Sequence, residues 1–361
     1  MKLRLKNTPE QVELIKAMGS KDRNVSAEAA SAFAAFAGPV VSQVLNQAGS
    51  ANAIYTPLEY KIDEVPSIPV DLWYDEGEGY TTIWSQTMAG GLPTNQVDGG
   101  KELKFHTFTL DSAVAYGKKF ARQCRLDVVS KALTRLAGEV LVKQERNGWA
   151  VILRAVAEAG TNGLSHVIAA TTASTFQVDD LNRLMTRIDR INTSFANGTP
   201  SDFDYKGLTD LWMSPEMVEQ VRAFAYQPMN TRAVPNTDES TVLALPDSVR
   251  TEIYKNAGAS EIYGVGIHKL IELGSSKKYN TLFKSFYTGT FSDSADECII
   301  GLDLSREAFV RPIMTDEGAG GSFNIVPDDQ FVARQDKIGF YGELEQGNIC
   351  LDGRAAVALT V

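Results

Sequence analysis

The sequence predicts an α+β fold in which one unusually long helix accompanies strands in the middle and at the end of the chain. Three observations lead to this prediction. Apolar residues recur every three or four positions through 127–159, which is the spacing of one helical face. Two β-prone runs, 80–87 and 101–110, flank a segment rich in glycine. Residues 331–361 are typical of two long strands, and the end of the second, 354–361, alternates its side chains at a period of two.

Composition excludes several classes of protein. The chain has 361 residues, of which 43% are hydrophobic, so it can bury a large core and is not disordered. No apolar run reaches the ~18 residues of a membrane span, and the first residues lack the core of a signal peptide, which favours a cytoplasmic protein without a membrane partner. Cys124, Cys298 and Cys350 lack metal-ligand spacing and are interpreted as apolar core residues.

The net charge of −10 argues against a protein whose main task is to grip phosphate backbones. The charge is uneven, because residues 1–23 hold six basic and three acidic side chains and residues 101–146 hold ten basic and five acidic ones. Two interpretations stay open. These segments are either solvated faces of one subunit or basic surfaces that meet acidic surfaces of neighbouring copies.

The first fifty residues are predicted to form an arm with two helices. Thr8 is placed to cap the first helix, with Pro9 in its first turn. The second, alanine-rich helix is predicted over 26–37 and is expected to break at Gly38-Pro39. Neither helix is expected to bury much apolar surface alone.

A long hairpin with a flexible, glycine-rich end is predicted over 80–110. Its Trp84, Phe105 and Phe108 are more apolar than an isolated ribbon should expose, since two-stranded ribbons are only marginally stable in water. The hairpin is therefore expected to lie on another surface. The alternative, an ordinary sheet of its own subunit, stays open.

The strongest helix prediction covers 127–146, with Asp127 as N-cap, and resumes over 149–159. Asn147-Gly148 between the two parts either kinks the helix or only weakens it, because one interior glycine costs about 1 kcal/mol relative to alanine. A continuous helix of this length would be a rod of about 50 Å. Such a rod is long for a globular enzyme of this size.

Helix and strand alternate in the middle third of the chain. Apolar positions through 178–191 form a helical stripe, 208–213 is a short apolar strand, and Ser214-Pro215-Glu216 combines an N-cap, a first-turn proline and an early acid. Further strands are predicted over 261–271 and 297–302.

At the end of the chain, strands are predicted over 331–341 and 349–361, with a turn region over 342–348 between them. In the second strand, one face carries Ala355, Val357, Leu359 and Val361, and the other carries Arg354, Ala356, Ala358 and Thr360. A fold that closes on a buried or paired C-terminal strand is therefore expected.

The sequence shows no constellation typical of an enzyme or a metal centre. His106, His166 and His268 are the only histidines, and none has a Cys, His or acidic neighbour at metal-ligand spacing. Ser165-His166 lacks the elbow motif of a serine nucleophile, and the glycines of 316–321 lack the lysine of a phosphate loop. No catalytic, cofactor-binding or metal-binding residue is assigned, and no cofactor is expected.

Taken in order, an arm, a glycine-tipped hairpin, a very long helix, a mixed α/β insertion and a terminal β return form an unusual series. The series resembles the major capsid proteins of tailed double-stranded DNA bacteriophages, which have the Hong Kong 97-type fold. Residues 80–110 are similar to the E-loop of that family and 127–159 to its spine helix. Residues 208–224 and 296–312 are similar to parts of its axial A-domain. The closing strands of its peripheral P-domain resemble 337–361, with Lys337, Gly339-Phe340 and an alanine-rich last strand.

The resemblance implies five regions. They are an N-arm (1–55), a strand and extended E-loop hairpin (56–111), a P-domain with the spine helix (112–177), an inserted A-domain (178–318) and P-domain return strands (319–361).

The resemblance also implies a structural role and no enzymatic activity. The chain would self-assemble through hexamers and pentamers into an icosahedral virion shell around packaged double-stranded DNA, within the cytoplasm of a bacterial host. A portal protein and, as an optional partner, a decoration protein are implied as well. The arm is too short to hold the removable segment that some relatives carry, so a separate scaffolding protein is expected.

In such a shell each subunit must reach its neighbours with extended elements. The hypothesis is that three aromatic residues of the hairpin lie on an adjacent subunit, while the basic 101–146 segment meets an acidic surface of a neighbour. The residues assigned to these contacts are Trp84, Phe105, Phe108, Lys101, Lys104, Asp71, Asp75, Glu76 and Glu78. Some relatives also form Lys-to-Asn cross-links, for which Lys101 or Lys104 and Asn348 are the candidates.

Two other functions stay open. The first is a bacterial encapsulin shell, a close architectural relative that would enclose cargo enzymes in place of DNA. The second is a cytoplasmic α/β enzyme whose acidic residues meet only in three dimensions.

Overall fold

The computed structural model describes residues 8–69, 102–161, 164–192, 207–224, 261–315, 322–328 and 335–361. The helices there are α1 (Pro9–Met18), α2 (Arg23–Gln47), α3 (Lys118–Arg122), α4 (Leu126–Glu158), α5 (Val178–Asn192), α6 (Pro215–Ala223) and α7 (Lys278–Phe286). The first strands are β1 (Thr56–Tyr60), β2 (Ser67–Pro69), β3 (Glu102–Lys104), β4 (Phe108–Gly117), β5 (Gly160–Thr161), β6 (Leu164–Ser165), β7 (Val167–Ala169) and β8 (Asp210–Met213). The later strands are β9 (Glu261–Ile262), β10 (Val265–Lys269), β11 (Cys298–Leu302), β12 (Phe309–Met314), β13 (Phe323–Asp328), β14 (Lys337–Gln346), β15 (Ile349–Cys350) and β16 (Ala356–Thr360).

The chain divides into two compact units, each assembled from separate stretches of sequence. The first unit contains residues 1–70, 101–148 and 309–349, and the second contains 71–100, 149–308 and 350–361. Both units mix helices with sheet, so the mixed character of the predicted fold is confirmed. The boundaries of the five predicted regions stay predictions.

The sheet of the first unit is built around β14. Along its whole length β14 pairs antiparallel with β4, and on its other edge it pairs antiparallel with β13. The predicted turn over 342–348 is therefore wrong for most of its length, because 342–346 continue the strand. Gly342 belongs in this strand for a packing reason: an added Cβ would lie only 2.3 Å from Cζ of Phe323, which is fully buried. On the far side of β12 the sheet is extended by β1, which runs parallel to β12, and β15 also pairs with β12.

The described part of the predicted arm packs into the core of the first unit. Ile15, Met18, Phe33 and Leu45 are at most 2% exposed. The ring of Phe33 lies 5.4 Å from that of Phe340 in the sheet. The two N-terminal helices thus bury their apolar faces together and against the sheet, which neither could do alone.

The predicted break at Gly38-Pro39 is wrong, because α2 continues through Pro39. Proline removes one helical hydrogen bond and crowds the preceding turn. On either side of it, however, Ala37 and Val41 are buried in the same core, and α2 packs on β13. Tertiary packing therefore outweighs the local preference for a break.

Residues Arg23–Asn46 of α2 are long and apolar enough to cross a membrane by length and composition. Half of an apolar window of 18 residues within this stretch is buried inside the protein. Core helices pass the same test, so the finding is weak evidence for a membrane span, and the burial of Phe33 and Leu45 explains the apolar composition.

The predicted long helix is continuous. α4 has 33 residues, which corresponds to about 50 Å at 1.5 Å per residue. It begins at Leu126, so Asp127 is not the N-cap; Asp127 lies in the first turn, where a negative charge favours the helix dipole. Val129, Leu133, Leu136 and Val140 are buried at the predicted spacing.

The sheet of the second unit has the strand order β7-β16-β11-β8-β10-β9. β16 is antiparallel to β11 and parallel to β7. The expected closure on a buried, paired C-terminal strand is therefore confirmed. Ala356, Val357, Ala358 and Leu359 are all fully buried, so both faces of the strand are covered and the small alanines fit between packed layers.

Two strand predictions are wrong in detail. The predicted strand 261–271 is the hairpin β9–β10, which turns at Tyr263 and Gly264 with φ angles of 53° and 80°. The predicted strand 349–361 is interrupted by a short 3₁₀ turn over Gly353–Ala355. The two terminal strands β14 and β16 do not pair with each other, because β14 belongs to the first sheet and β16 to the second.

The predicted helices α5 and α6 are confirmed. Leu181, Leu184, Ile188 and Ile191 of α5 are at most 1% exposed. At the start of α6, the Ser214 hydroxyl accepts a hydrogen bond from the backbone N of Met217 at 3.1 Å.

Candidate functional site

The base of the predicted hairpin lies in the first unit. β2 and β3 pair antiparallel, with Ile68 opposite Leu103, and the backbone N of Phe105 donates to the carbonyl of Pro66 at 2.9 Å. Phe105, Phe108 and Lys104 are the residues assigned to intersubunit contacts that fall within the described chain. Outside the described residues lie Asp71, Asp75, Glu76, Glu78, Trp84 and Lys101.

Phe105 and Phe108, the two described aromatic residues, are covered by other parts of the same chain. Phe105 is 7% exposed, and Phe108 packs against the core of the first unit. Lys104 is exposed on β3. The intersubunit role of these three residues stays a prediction, for which Lys104 presents the most available surface.

Large exposed apolar side chains lie beside this base. Ile62 is 70% exposed, Val65 62% and Leu103 46%. Val65 precedes Pro66, which binds Phe105, and Leu103 lies two residues before Phe105 on the paired strand. We call these three residues the hairpin-base patch. Ile62 and Val65 are close in sequence and Leu103 lies on the paired strand, so these exposed side chains are candidates for a surface that another protein covers.

A second apolar surface lies on α2. Phe36 is 48% exposed, and Val25 and Val40 are each 43% exposed. Exposed small residues on the same side of the helix extend this surface, namely Ala32, Ala35 and Pro39. We call these six residues the α2 stripe. Glu28, the only charged residue between the ends of the helix, lies on this side as well, so the apolar surface is continuous from Ala32 to Val40.

The first unit holds a buried cation beside Gly148 of α4. Arg311 of β12 is 2% exposed and donates from Nε to Oδ1 of Asn348 at 2.9 Å. It also donates from Nη1 to Oδ1 of Asn52, and its Cζ lies 4.8 Å from the ring centroid of Tyr55. Burial lowers the pKa of the guanidinium, and Tyr55 and Glu145 oppose this effect. The charge is therefore stabilised by neutral acceptors and an aromatic face, without a carboxylate in direct contact among the described residues.

Gly148 is the position of α4 that lies closest to this cluster of buried side chains. The Tyr55 hydroxyl donates to the Gly148 carbonyl at 2.9 Å. A Cβ at Gly148 would lie 3.0 Å from Cβ of Ala51, 3.2 Å from Nη2 of Arg311 and 3.2 Å from Cε2 of Tyr55. The glycine that the sequence marks as a weak point of the helix is thus the point of closest approach to buried neighbours.

The cross-link candidate Asn348 is turned into the same cluster. Its Oδ1 accepts from Arg311, and its Nδ2 is buried without a hydrogen-bond partner in the structure. The side chain is thus directed at Arg311 in the described chain, while the candidate lysine Lys104 is exposed. The proposed cross-link stays a prediction, and this geometry lends it no support.

The histidines occupy three different environments. His106 is exposed, whereas His166 is 1% exposed and its Nδ1 lies 2.9 Å from the carbonyl of Ala356. Burial lowers the pKa of His166. Nε2 of His268 lies 2.6 Å from Oδ1 of Asp210, a pair that the sequence did not predict because the two residues are 58 positions apart.

The Asp210 carboxylate has two hydrogen-bond donors. Besides His268 on β10, the Thr209 hydroxyl donates to Oδ2 at 2.7 Å. Burial alone would raise the pKa of Asp210, but the hydrogen bonds from His268 and Thr209 outweigh it and leave the pKa below its ordinary value. The His268 ring stacks on Trp212 with centroids 4.4 Å apart. The two residues are held close together because Asp210 lies on β8 and His268 on β10, which are paired in parallel.

Within the described residues, no group of three or more His, Cys, Asp or Glu side chains could hold a metal ion. The features of note in the described part of the chain are the exposed apolar side chains and the hydrogen-bonded pair of His268 and Asp210.

The fold is that of capsid shell proteins. The structure matches the capsid of cyanophage P-SCSP1u with a TM-score of 0.50 and 14% identity, over 85% of this chain and 86% of that chain. It matches a structure of Microbacterium phage Oxtober96 with a TM-score of 0.50 and 11% identity, over 87% of this chain and 90% of that chain. At these identities the likeness shows a shared fold alone. The resemblance inferred from the order of elements is thereby confirmed for the fold.

A further match is the holo-SrpI encapsulin complex from Synechococcus elongatus PCC 7942. Its TM-score is 0.41 at 12% identity, over 72% of this chain and 75% of that chain, which is too low to support an inference. No protein-family model matches the sequence, and no curated protein sequence matches it.

Proposed function

We propose that this chain is the major capsid subunit of a tailed bacteriophage. The subunits would assemble through hexamers and pentamers into an icosahedral shell that encloses the double-stranded DNA genome. The observation that carries the proposal is the fold, which is shared over 85% of the chain with a phage capsid structure.

The exposed apolar surfaces of the first unit support self-association. The α2 stripe and the hairpin-base patch each expose large apolar side chains that water solvates poorly. A second copy of the chain is the occupant that a closed shell supplies, because its contacts repeat between identical subunits. Contacts of this kind bury one surface of a subunit against a different surface of the next one.

The remaining partners follow from the same proposal. Assembly would take place in the cytoplasm of the host and would use a separate scaffolding protein, because the N-terminal helices are occupied in the core of the first unit. A portal protein would join the shell, and a decoration protein is an optional further partner. The net charge of −10 supports a wall that encloses DNA without holding it tightly.

Electron microscopy of the purified protein tests the proposal. Icosahedral particles are the expected result, and protection of double-stranded DNA from nuclease in particles isolated from infected cells would identify the content. A monodisperse monomer or dimer at high protein concentration, with and without a scaffolding protein, would contradict the shell and favour the enzyme. Particles that hold a cargo protein and no DNA would indicate an encapsulin.

A further inference from the structure

The strands β2 and β3 form a separate two-stranded ribbon in the first unit. Its residue pairs run from Ser67 opposite Lys104 to Pro69 opposite Glu102, and no other described strand joins it. A two-stranded ribbon of this size is only marginally stable in water. Contacts outside the ribbon are therefore needed to hold it in place on the unit.

One carboxylate contacts the chain on both flanks of this ribbon. Oε1 of Glu345, on β14, accepts a hydrogen bond from the Tyr60 hydroxyl at 2.9 Å and another from the Thr107 hydroxyl at 2.7 Å. Tyr60 is the last residue of β1 and precedes β2, whereas Thr107 lies between β3 and β4. The segment that enters the ribbon and the segment that leaves it are thus both bound to the same strand of the first sheet.

The surroundings of Tyr60 favour its hydrogen bond to Glu345. Tyr60 is 6% exposed, and burial raises the pKa of its hydroxyl to about 12. The phenol therefore keeps its proton at neutral pH and can donate it to an acceptor. Hydrogen bonds to an ionised carboxylate are roughly twice as strong as those between neutral groups, which makes a glutamate an effective anchor.

The connection from β3 to β4 is short and closely packed. It spans residues 105–107. The backbone N of Phe105 donates to the carbonyl of Pro66 at 2.9 Å, and Phe105 is 7% exposed. A Cβ at Gly347 would lie 3.0 Å from the carbonyl oxygen of His106, so the connection also touches the backbone that follows β14. A fixed point within so short a connection limits the direction in which the ribbon leaves the sheet.

We propose that Glu345 is a positioning residue that fixes the ribbon on the first unit and thereby sets the direction in which the hairpin-base patch faces. All three residues of that patch lie between Tyr60 and Thr107 in the sequence, so the two flanks bound by Glu345 enclose it. A surface that is oriented in advance loses less entropy when it binds another subunit. The part played in assembly rests on the proposed function, whereas the fixing of the ribbon does not.

The test is amide hydrogen exchange of the unassembled full-length protein, isolated by size exclusion. Glu345→Ala should speed the exchange of the Phe105 amide about tenfold, because two hydrogen bonds to a charged group are lost. Glu343→Ala is the matched control, since Glu343 lies on the same face of β14 and does not bind Tyr60 or Thr107; it should match the wild type. Glu345→Gln keeps an oxygen that can accept from both hydroxyls and should lie closer to the wild type than Glu345→Ala.

The double variant Tyr60→Phe/Thr107→Val removes the two donors and should reproduce the faster exchange, and adding Glu345→Ala to it should change nothing further. Unchanged exchange in Glu345→Ala would overturn the proposal. Exchange that rises equally along β4 and β14 would overturn it as well, because Glu345 would then only stabilise the unit as a whole.

Shell formation by each variant is scored separately by electron microscopy. Glu345→Ala should lose most of the particles that the wild type and Glu343→Ala form. A normal particle yield from Glu345→Ala would overturn its part in assembly. The absence of shells in the wild type would refute the proposed function and leave the exchange result independent.

Discussion

At the scale of single residues, Gly148 shows how a position that weakens a helix can stabilise the unit around it. We expect Gly148→Ala to lower the free energy of unfolding by about 1–3 kcal/mol, the cost of overpacking a core. The three atoms nearest to the new methyl group belong to Ala51, Arg311 and Tyr55, which are all at most 5% exposed and have little room to move. Urea denaturation of the two proteins measures the difference.

The same helix supplies the matched control for this prediction. A Cβ at Gly138 would meet nothing within 4 Å. Gly138→Ala should therefore raise the free energy of unfolding by about 0.5–1 kcal/mol, because alanine is the better helix former. If both substitutions stabilise the protein, close packing at Gly148 is not what selects glycine there.

Asp210 leads to a prediction about pH. Because its pKa is lowered in the folded protein, its stabilising contribution is present above the ordinary value of 3.8 and is lost as pH falls through the lower folded pKa. We expect Asp210→Asn to lower the free energy of unfolding at neutral pH by about 1.5–3 kcal/mol, the value of a hydrogen bond to a charged group. Urea titrations from neutral to acidic pH should show this difference shrinking below about pH 4.

Asp63→Asn is the control for Asp210, since Asp63 is an exposed turn residue of the first unit. Its difference from the wild type should stay small across the whole pH range. A gap between wild type and Asp210→Asn that persists unchanged into acid would mean that the shape of the side chain, and not its charge, carries the effect.

At the scale of elements, the α2 stripe is predicted to be an assembly surface. Val40→Glu should leave the thermal unfolding of the subunit nearly unchanged, because the side chain is 43% exposed. It should prevent particles from forming, since a contact with another subunit would bury an unpaired charge. Light scattering and electron microscopy report particles, and calorimetry reports the fold.

Val142→Glu on α4 is the matched control for the stripe. Val142 is also 43% exposed and also lies on a long helix of the first unit. Its neighbours along the helix include Glu139 and Lys143, so it stands alone among charged residues. This variant should assemble normally; assembly by Val40→Glu at the wild-type level would remove the stripe from the interface.

The predicted hairpin leads to a deletion experiment. Removal of residues 88–100 should leave a folded subunit, because β3 and β4 pair with β2 and β14 without help from that segment. The shortened protein should fail to form shells if the hairpin reaches a neighbouring subunit. Circular dichroism and size exclusion test the fold. Particles of normal size and yield would contradict the hypothesis that the hairpin contacts a neighbouring subunit.

Local patterns in the sequence predicted the elements that local forces determine. The stripe of α5, the cap at Ser214 and the length of α4 follow from spacing within a few residues. The continuation of α2 through Pro39 did not follow, because distant packing partners outweigh the proline.

Pairings between distant segments could not be predicted in this way. Arg311 and Asn52 are 259 positions apart, and β14 and β16 enter different sheets although only residues 347–355 separate them. Neither pairing leaves a periodic signal in the sequence. The order of elements, which needed no such pairing, was enough to predict the fold.

At the scale of the whole molecule, net charge and apolar surface act in opposite directions on assembly. Each subunit has a net charge of −10, so two copies repel each other electrostatically when they approach. The described apolar surfaces, the α2 stripe and the hairpin-base patch, favour association whatever the salt concentration. We expect particle yield to rise from about 0.1 M to about 1 M salt, because the Debye length falls from ~10 Å to ~3 Å and repulsion is screened. Light scattering of purified subunits over this range measures the yield. A yield that falls with salt would show instead that ion pairs, such as those predicted between the basic 101–146 segment and acidic residues of a neighbour, hold the subunits together.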